Sequence, residues 1–258
     1  MTLTRAAAKA QVEALFDSLA LEYARTREAQ FSFVAQKGLV IDLLAGVRGR
    51  ILEVGCGPAV MTPKLLAMGF EVHGIDVSAE MLRRARQRMA GHPLEARCRF
   101  ALGDFERLQY PDAFFDAVLA MGVLEYLPAY GQALQATARV LKPGGAAVFT
   151  LPNRASAYHL ARGPYGTLRG ALRRLLRRPP PVGCATNPCL PWAFDAELER
   201  SGLEPIESAA CNFIFFPLKE LRPALSDRLN RALHPMARWR LARLLGAQYV
   251  VKARRRAP

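Results

Sequence analysis

Glu53-Val54-Gly55-Cys56-Gly57-Pro58 is a glycine-rich turn, and it directly follows a short apolar strand predicted over residues 50–54. Because two positions of the turn lack side chains, its backbone can approach a ligand closely. Pro63 and the apolar positions after it predict a helix that ends at Gly69, and the first turn of this helix offers free N–H groups. The sequence therefore predicts a ligand-binding junction between a strand and a helix.

Strands and helices alternate along the chain after this turn. Ser78 is a suitable N-cap for the helix that follows the second strand. Alternation of this kind predicts a parallel sheet with helices on both faces, which is an α/β, Rossmann-like fold. The further strands of a seven-stranded sheet are predicted at residues 70–75, 98–102, 117–121, 146–151, 205–216 and 248–253.

Two acidic residues stand at the ends of successive predicted strands. Asp76 ends the second strand, 19 residues after Gly57, where a carboxylate can accept hydrogen bonds from both hydroxyls of a ribose. Asp104 follows the third strand and is well placed for an adenine amino group. Ligands of such sheets bind at the carboxyl ends of the strands, so the turn and the two acids together indicate an adenosine-containing ligand.

The spacing of the glycines separates two kinds of adenosine ligand. A dinucleotide-binding turn reads G-x-G-x-x-G and places a pyrophosphate at the helix N-terminus; here Val60 occupies the last position. Glu53, just before the turn, would repel a pyrophosphate but attract a cation. S-adenosylmethionine carries a sulfonium and an ammonium and no phosphate, so these residues favour it over NAD.

Six short motifs, in order along the chain, carry a resemblance to a known family. They are Phe16-Asp17 with Ala20 and Tyr23, the turn at residues 53–58, Gly74-Ile75-Asp76-Val77-Ser78, Gly103-Asp104-Phe105, Phe115-Asp116-Ala117-Val118 with Leu124-Glu125, and Leu141-Lys142-Pro143-Gly144-Gly145. Their order and spacing resemble the class I S-adenosylmethionine-dependent methyltransferases, in the small-molecule branch that includes ubiquinone-pathway and biotin-pathway enzymes. The resemblance covers residues 12–153.

The resemblance implies S-adenosyl-L-methionine as the cofactor and assigns residues to its methionine part. Gly55, Cys56 and Gly57 would contact that part through their backbone. Glu53 would orient the ammonium, and the carbonyl of Met121 would accept a hydrogen bond from it.

The adenosine part has its own implied residues. Asp76 would bind the ribose, and Val77 and Met81 would pack on the adenine ring. Asp104, assisted by the backbone of Phe105, would take the adenine amino group.

Two positions depart from the family pattern. Ala59 replaces the third glycine of the first motif, which is tolerable if its backbone stays right-handed. Relatives that methylate phenols often have Glu-His after the fourth strand, whereas this chain has Glu125-Tyr126. The sequence therefore predicts no histidine base at that position.

The candidates for catalysis are Glu125, His159 and Tyr23. Tyr23 would close the site over the sulfonium, and Glu125 is a candidate for a direct catalytic role. His159, and also His234, are candidate bases for deprotonating the acceptor. Each has an ordinary alternative, since a lone histidine or helical glutamate is commonly structural and a tyrosine commonly packs. Proximity and orientation alone can carry much of a methyl transfer, so activity does not require a base.

Charge divides the chain into two regions. Residues 1–153 hold 17 Lys+Arg against 15 Asp+Glu, whereas residues 154–258 hold 19 against 7. We expect one compact domain in which residues 1–153 form the N-terminal helices and the cofactor-binding core, and residues 154–258 complete the sheet. Two insertions, at residues 154–198 and 218–246, would form the acceptor pocket, and the apolar residues 213–216 would line it.

Both insertions carry leucines at helical spacing with arginines between them, at residues 168–178 and 225–245. Basic amphipathic helices of this kind lie on anionic membranes. The alternative is a lid that packs its leucines on the core and leaves its arginines in water. The sequence leaves both open.

Several classes of protein and site are disfavoured. No apolar run approaches the ~18 residues of a membrane span, and the first residues, with Arg5 and Lys9 but no continuous apolar stretch after them, are not expected to act as a signal peptide. Five cysteines do not make a disulfide scaffold in a chain of this length, so we expect a cytoplasmic protein. Cys184, Cys189, Cys211 and His234 lack the compact pairs of a zinc site, and we expect no metal.

The predicted function is methyl transfer from S-adenosylmethionine to a small acceptor that is hydrophobic or membrane-associated, with oxygen favoured. The alternatives are an RNA methyltransferase that holds phosphates with the basic second half, and a non-catalytic S-adenosylmethionine-binding module. The Asn/Asp-Pro-Pro-Tyr/Phe signature of base methylation is absent, which makes a nucleic-acid partner the weaker interpretation. No pattern indicates an oligomeric state.

Overall fold

The computed structural model describes residues 5–28, 30–161, 186–214 and 218–257. Strands within these residues form one sheet in the order β3-β2-β1-β4-β5-β7-β6. The strands are β1 (Gly49–Val54), β2 (Phe70–Asp76), β3 (Cys98–Leu102), β4 (Phe115–Met121), β5 (Leu141–Pro152), β6 (Leu203–Cys211) and β7 (Gln248–Arg255). The predicted α/β fold is confirmed.

The sheet is mixed: the parallel pairing predicted for the strands of residues 1–153 is confirmed, and β7 is antiparallel. Strands β1 to β5 pair in parallel, whereas β7 lies antiparallel to both β5 and β6. The reason is that the connection starts at the carboxyl end of β6 and returns beside that same end, where β7 begins. Strand β7 must therefore run in the opposite direction. Strand β6 ends at Cys211 rather than at residue 216, because Asn212 takes a left-handed φ of 63° and turns the chain out of the sheet.

Helices cover both faces of this sheet, as the sequence predicts. They are α1 (Arg5–Glu28), α2 (Phe31–Leu43), α3 (Thr62–Ala67), α4 (Ala79–Met89), α5 (Gly131–Val140), α6 (Pro191–Arg200), α7 (Leu218–Leu221), α8 (Pro223–Leu233) and α9 (Ala242–Leu245). The N-cap prediction is confirmed, since Ser78 Oγ accepts a hydrogen bond from the Met81 N–H at 3.0 Å. None of the helices in the described ranges has the length and apolarity to cross a bilayer.

Apolar clusters pack on the two faces of the sheet. One cluster includes Leu52, Val118 and Phe149, and the other includes Ile51, Leu119 and Val250, all of them buried. Neighbouring residues of one strand thus enter opposite clusters, as expected for a strand covered on both faces. This rigid centre fixes the carboxyl ends of the first four strands, where the acidic residues stand.

Candidate active site

A cavity of about 790 Å³, open in part to solvent, lies at the carboxyl ends of β1 to β4 and under α1. Nine of the predicted cofactor residues line it: Tyr23, Gly55, Gly57, Asp76, Val77, Met81, Asp104, Phe105 and Met121. A second cavity of about 370 Å³ shares Tyr23, Gly55, Gly57 and Met121 with the first and adds Glu53 and Cys56. The structure therefore brings all of the predicted cofactor residues to two adjoining cavities.

The turn after β1 is tight and mostly left-handed. Gly55 has a φ of 63°, and a Cβ atom there would collide with the side chain of Val123. The expectation of a right-handed Ala59 is wrong, because its φ is 57°. An L-residue in this conformation costs about 1–2 kcal/mol, and the fully buried Ala59 is held by its surroundings and by a hydrogen bond from its N–H to the Cys56 carbonyl at 3.0 Å.

Asp76 faces the turn from the end of β2. Its Oδ2 accepts a hydrogen bond from the Gly57 N–H and its Oδ1 one from the Ser78 N–H, each at 2.9 Å. Burial raises the pKa of this carboxyl, and the backbone N–H groups partly offset the rise. The carboxylate is thus oriented by the backbone at both oxygens, as required of a group that binds a diol.

Asp104, at the end of β3, is engaged by α1. Lys9 Nζ lies 2.5 Å from Asp104 Oδ2 and 2.6 Å from Glu106 Oε2. Burial alone would raise the pKa of Asp104, but the hydrogen bonds from Lys9 and from the Glu106 N–H outweigh it and lower the pKa. The predicted adenine-binding carboxylate is therefore charged and already paired with a lysine that lines the same cavity.

Glu53 is buried beneath the turn. Burial raises its pKa to about 7, although a hydrogen bond from Thr62 Oγ1 at 2.7 Å favours the charged form. Burial also raises the pKa of the neighbouring Cys56 thiol, which stays neutral. A cation that reaches the second cavity would meet the Glu53 carboxylate with little water to screen it.

Helix α1 forms one wall of the larger cavity, and it contributes Lys9 and Val12 besides the predicted Tyr23. Lys9, Val12, Phe16 and Tyr23 line the cavity, and their spacing of three, four and seven residues places them on one helical face. That spacing is the signal that would have identified Lys9 and Val12 from sequence. The helix is held by the Ser78 Oγ–Asp17 Oδ1 hydrogen bond at 2.5 Å, the Arg88–Glu28 ion pair at 2.8 Å and the edge-on contact of Phe16 with Tyr126.

The three catalytic candidates occupy different places. Tyr23 lines both cavities, and burial raises the pKa of its phenol, which stays protonated. Glu125 does not line them, but Val123, Tyr126 and Leu127 around it do.

The Glu125 carboxyl has an isolated environment. Its Oε2 is inaccessible to water, without a hydrogen-bond partner among the described residues, and burial raises its pKa to about 7. His159 lies outside both cavities, with its Nδ1 3.0 Å from Ser156 Oγ and its ring edge-on to Tyr158. Only Tyr23 among the three therefore lines the cavities directly.

Comparison with known proteins assigns the family. The family profile described as Methyltransferase domain matches residues 52–149. Over 159 residues the chain is 33% identical to the phosphatidylethanolamine N-methyltransferase of Cereibacter sphaeroides, and this match covers 61% of the chain and 69% of that protein. The chain belongs to the class I S-adenosylmethionine-dependent methyltransferases.

A second relative of this methyltransferase is the ubiquinone biosynthesis O-methyltransferase of Alkalilimnicola ehrlichii. The two are 37% identical over 119 residues, which is 45% of the chain and 47% of the relative. The chain thus matches about half the length of that curated relative. The structure of magnesium protoporphyrin IX methyltransferase from Synechocystis, with bound SAH, has a TM-score of 0.66 over 96% of this chain and 99% of that one, at 14% identity. This likeness confirms the fold.

The cofactor of the methyltransferase is S-adenosyl-L-methionine, and the residues of the two cavities fit it. Gly55 and Gly57 line both cavities and carry no side chain, so their backbone can approach a ligand closely. The carboxylates at the strand ends suit hydroxyls, an amino group and cationic centres, whereas they would repel phosphates.

Proposed function

We propose that this methyltransferase transfers a methyl group to a small apolar acceptor that is dissolved in or attached to a membrane, with oxygen as the favoured atom. The apolar character of the larger cavity beyond the cofactor residues carries this proposal. The residues concerned are Val12 and Phe16 from α1 and Val123, Tyr126 and Leu127 from the loop after β4. Burial of apolar acceptor surface against these side chains would supply the binding energy.

The proposed division of the site is the one the family resemblance implies, and the position of these residues around the two cavities supports it. Asp76 binds the ribose hydroxyls and Asp104 the adenine amino group, while Val77 and Met81 pack on the ring, with the Phe105 backbone assisting. The methionine part is held by the Glu53 carboxylate, the Met121 carbonyl and the backbone of Gly55, Cys56 and Gly57.

Bound S-adenosylmethionine supplies an electrophilic methyl group on its sulfonium. This chain contributes alignment of the acceptor with that group and exclusion of water by α1.

Glu125 is proposed to act on the site through its charge, because it lines neither cavity and so does not contact the acceptor. Burial raises its pKa to about 7, so its charge changes near neutral pH. Glu125 stands one residue from Tyr126, which lines the cavity, and its negative charge contributes to the raised pKa of Tyr23. We propose that Tyr23 closes the site, and the contacts of His159 do not support a role for it as a base.

The relatives favour a lipid-like acceptor over a nucleic acid. One is named for phosphatidylethanolamine and the other for ubiquinone biosynthesis. The first methylates nitrogen and the second oxygen, so N-methylation is the second candidate. A peripheral contact with an anionic membrane forms part of the proposal, because an apolar acceptor resides there. Arginines at residues 169–178, one candidate for this contact, lie outside the described residues.

The test uses methyl-labelled S-adenosylmethionine, purified protein and a lipid extract or total RNA. Label in the organic phase, lost in an Asp76→Ala variant, is the expected result. Treatment of the product with acid that cleaves methyl ethers but not methylamines distinguishes oxygen from nitrogen. Label recovered in RNA, or no transfer to any fraction despite binding of S-adenosylhomocysteine, would overturn the proposal in favour of an RNA methyltransferase or of a binding module.

A further inference from the structure

Helix α8 packs with its polar side turned inward. Ser226 and Asn230 are buried, and Asn230 Oδ1 accepts a hydrogen bond from the Phe213 N–H at 2.8 Å. The leucines Leu225 and Leu229 face outward and are 45% and 37% exposed. The helix is therefore anchored through hydrogen bonding, and these leucines are not the means by which it packs on the core.

The same connection, residues 212–247, exposes further large apolar side chains. The set comprises Leu221, Leu225, Leu229, Trp239, Leu241 and Leu244, and we call it the β6–β7 surface. Leu233 and Leu245, in contrast, pack against the buried Phe213 and Ala242. A lid that simply buries its leucines would not leave this many outside. Leu225 and Leu229 lie one turn apart on the outward side of α8, and exposed apolar side chains that adjoin in this way mark interaction sites.

The arginines of the connection also form two groups, one held by contacts within the protein and one exposed. Arg231 lies over the ring of Phe31, Arg238 pairs with Asp42 and Glu207, and Arg243 pairs with Asp195. In contrast, Arg222, Arg228 and Arg240 are exposed, and no carboxylate within the described ranges pairs with them. Three cations on and around the β6–β7 surface thus stay available for a partner.

The β6–β7 surface and the cofactor cavities lie at the same end of the sheet. Strands β5 and β6 run in the same direction, and their last residues, Pro152 and Cys211, both pair with Gln248 at the start of β7. The connection between β6 and β7 therefore emerges at the carboxyl ends of the parallel strands, where the cavities also open.

We propose that the β6–β7 surface docks the methyltransferase onto an anionic lipid bilayer. Its leucines and Trp239 would enter the boundary between headgroups and acyl chains, and Arg222, Arg228 and Arg240 would contact lipid phosphates. The charge of the second half of the chain, 19 basic against 7 acidic residues, complements an anionic surface. The inference rests on the proposed function in one respect, namely that the acceptor is held in the membrane.

Sedimentation with phosphatidylcholine vesicles, prepared with or without phosphatidylglycerol, tests the charge requirement. We expect the wild-type protein to sediment only with the anionic vesicles, and Arg222→Glu/Arg228→Glu to lose at least about 30-fold in partitioning. The matched control is Arg99→Glu/Arg256→Glu, which makes the same charge change at exposed positions elsewhere. Equal loss in both pairs would overturn the assignment of this surface.

A second pair tests the apolar contact. Leu225→Ser/Leu229→Ser should lower partitioning at least about tenfold, whereas Leu21→Ser/Leu102→Ser, on α1 and on the opposite edge strand β3, should leave it unchanged. No sedimentation of the wild type, or a wild-type dimer in ultracentrifugation that Leu225→Ser/Leu229→Ser dissociates, overturns the proposal. Methyl transfer from S-adenosylmethionine to a lipid extract in detergent micelles is measured in parallel, because it does not require docking on a bilayer. Wild-type protein that sediments but transfers no methyl group refutes the proposed acceptor class and leaves docking standing. Wild-type protein that transfers the methyl group but does not sediment refutes membrane docking and leaves the acceptor class standing.

Discussion

Replacing Glu125 with glutamine removes a carboxyl whose Oε2 reaches neither water nor a hydrogen-bond partner in the described parts of the chain. Burial raises the pKa of this group from 4.5 to about 7. The native state therefore holds the proton more tightly than the unfolded chain, and the wild type loses stability as the pH rises from the lower value through the higher one. The difference corresponds to about 3 kcal/mol of unfolding free energy.

Glutamine does not titrate, so Glu125→Gln should lack this pH dependence. From about pH 5 to about pH 8, the unfolding free energy of the variant should gain about 2–3 kcal/mol on that of the wild type. The cost of burying an unpartnered amide is the same at both pH values and cancels in the comparison.

Urea unfolding followed by circular dichroism at both pH values gives the required numbers. Glu13→Gln, at an exposed position on α1, is the control and should show no such gain. A difference between Glu125→Gln and the wild type that stays constant with pH would refute the assignment of a desolvated carboxyl.

Three further predictions concern the site. Asp76→Ala should weaken binding of S-adenosylhomocysteine by about 100-fold or more in calorimetry, since it removes two hydrogen bonds to a charged acceptor. The exposed Asp112→Ala is the control. Unchanged affinity in Asp76→Ala would contradict the ribose assignment. Gly55→Ala should destabilise the fold more than Gly91→Ala. Both glycines have a positive φ, but only at Gly55 would the added Cβ atom collide with a side chain, that of Val123. Equal melting temperatures of the two variants would argue against the tight turn. Finally, kcat/KM should rise with pH through about 7, where Glu125 loses its proton, and this rise should be absent in Glu125→Gln.

The sequence predicted the cofactor-binding residues within residues 1–153 well, because each signal depends only on residues that are close together in the chain. The Ser78 cap, the β3 bounds and the acids at the ends of β2 and β3 follow from strand and helix patterns alone. The lysine partner of Asp104 is separated from it by 95 residues, and no local pattern indicates such a contact. Long-range pairing of this kind depends on how α1 crosses the cavity.

What the sequence got wrong or left open has a similar origin. At Ala59, the composition of the turn gives no sign of a left-handed backbone, because the surrounding structure imposes it. In α8, the spacing of the leucines leaves open whether they pack on the core or face outward, and hydrogen bonding at Asn230 decides which side is buried. A periodic pattern shows that a helix has two faces, and only the tertiary contacts determine which of them meets the core.

The attachment of α1 has a consequence for the rate of turnover. The helix crosses the larger cavity, and its links to the core include the Lys9–Asp104 and Arg88–Glu28 ion pairs, both partly exposed to solvent. Ion pairs of this exposure are weak and are screened as salt is added. Added salt should therefore loosen the wall that α1 forms and widen the opening of the cavity, so the release rate of S-adenosylhomocysteine should rise with ionic strength.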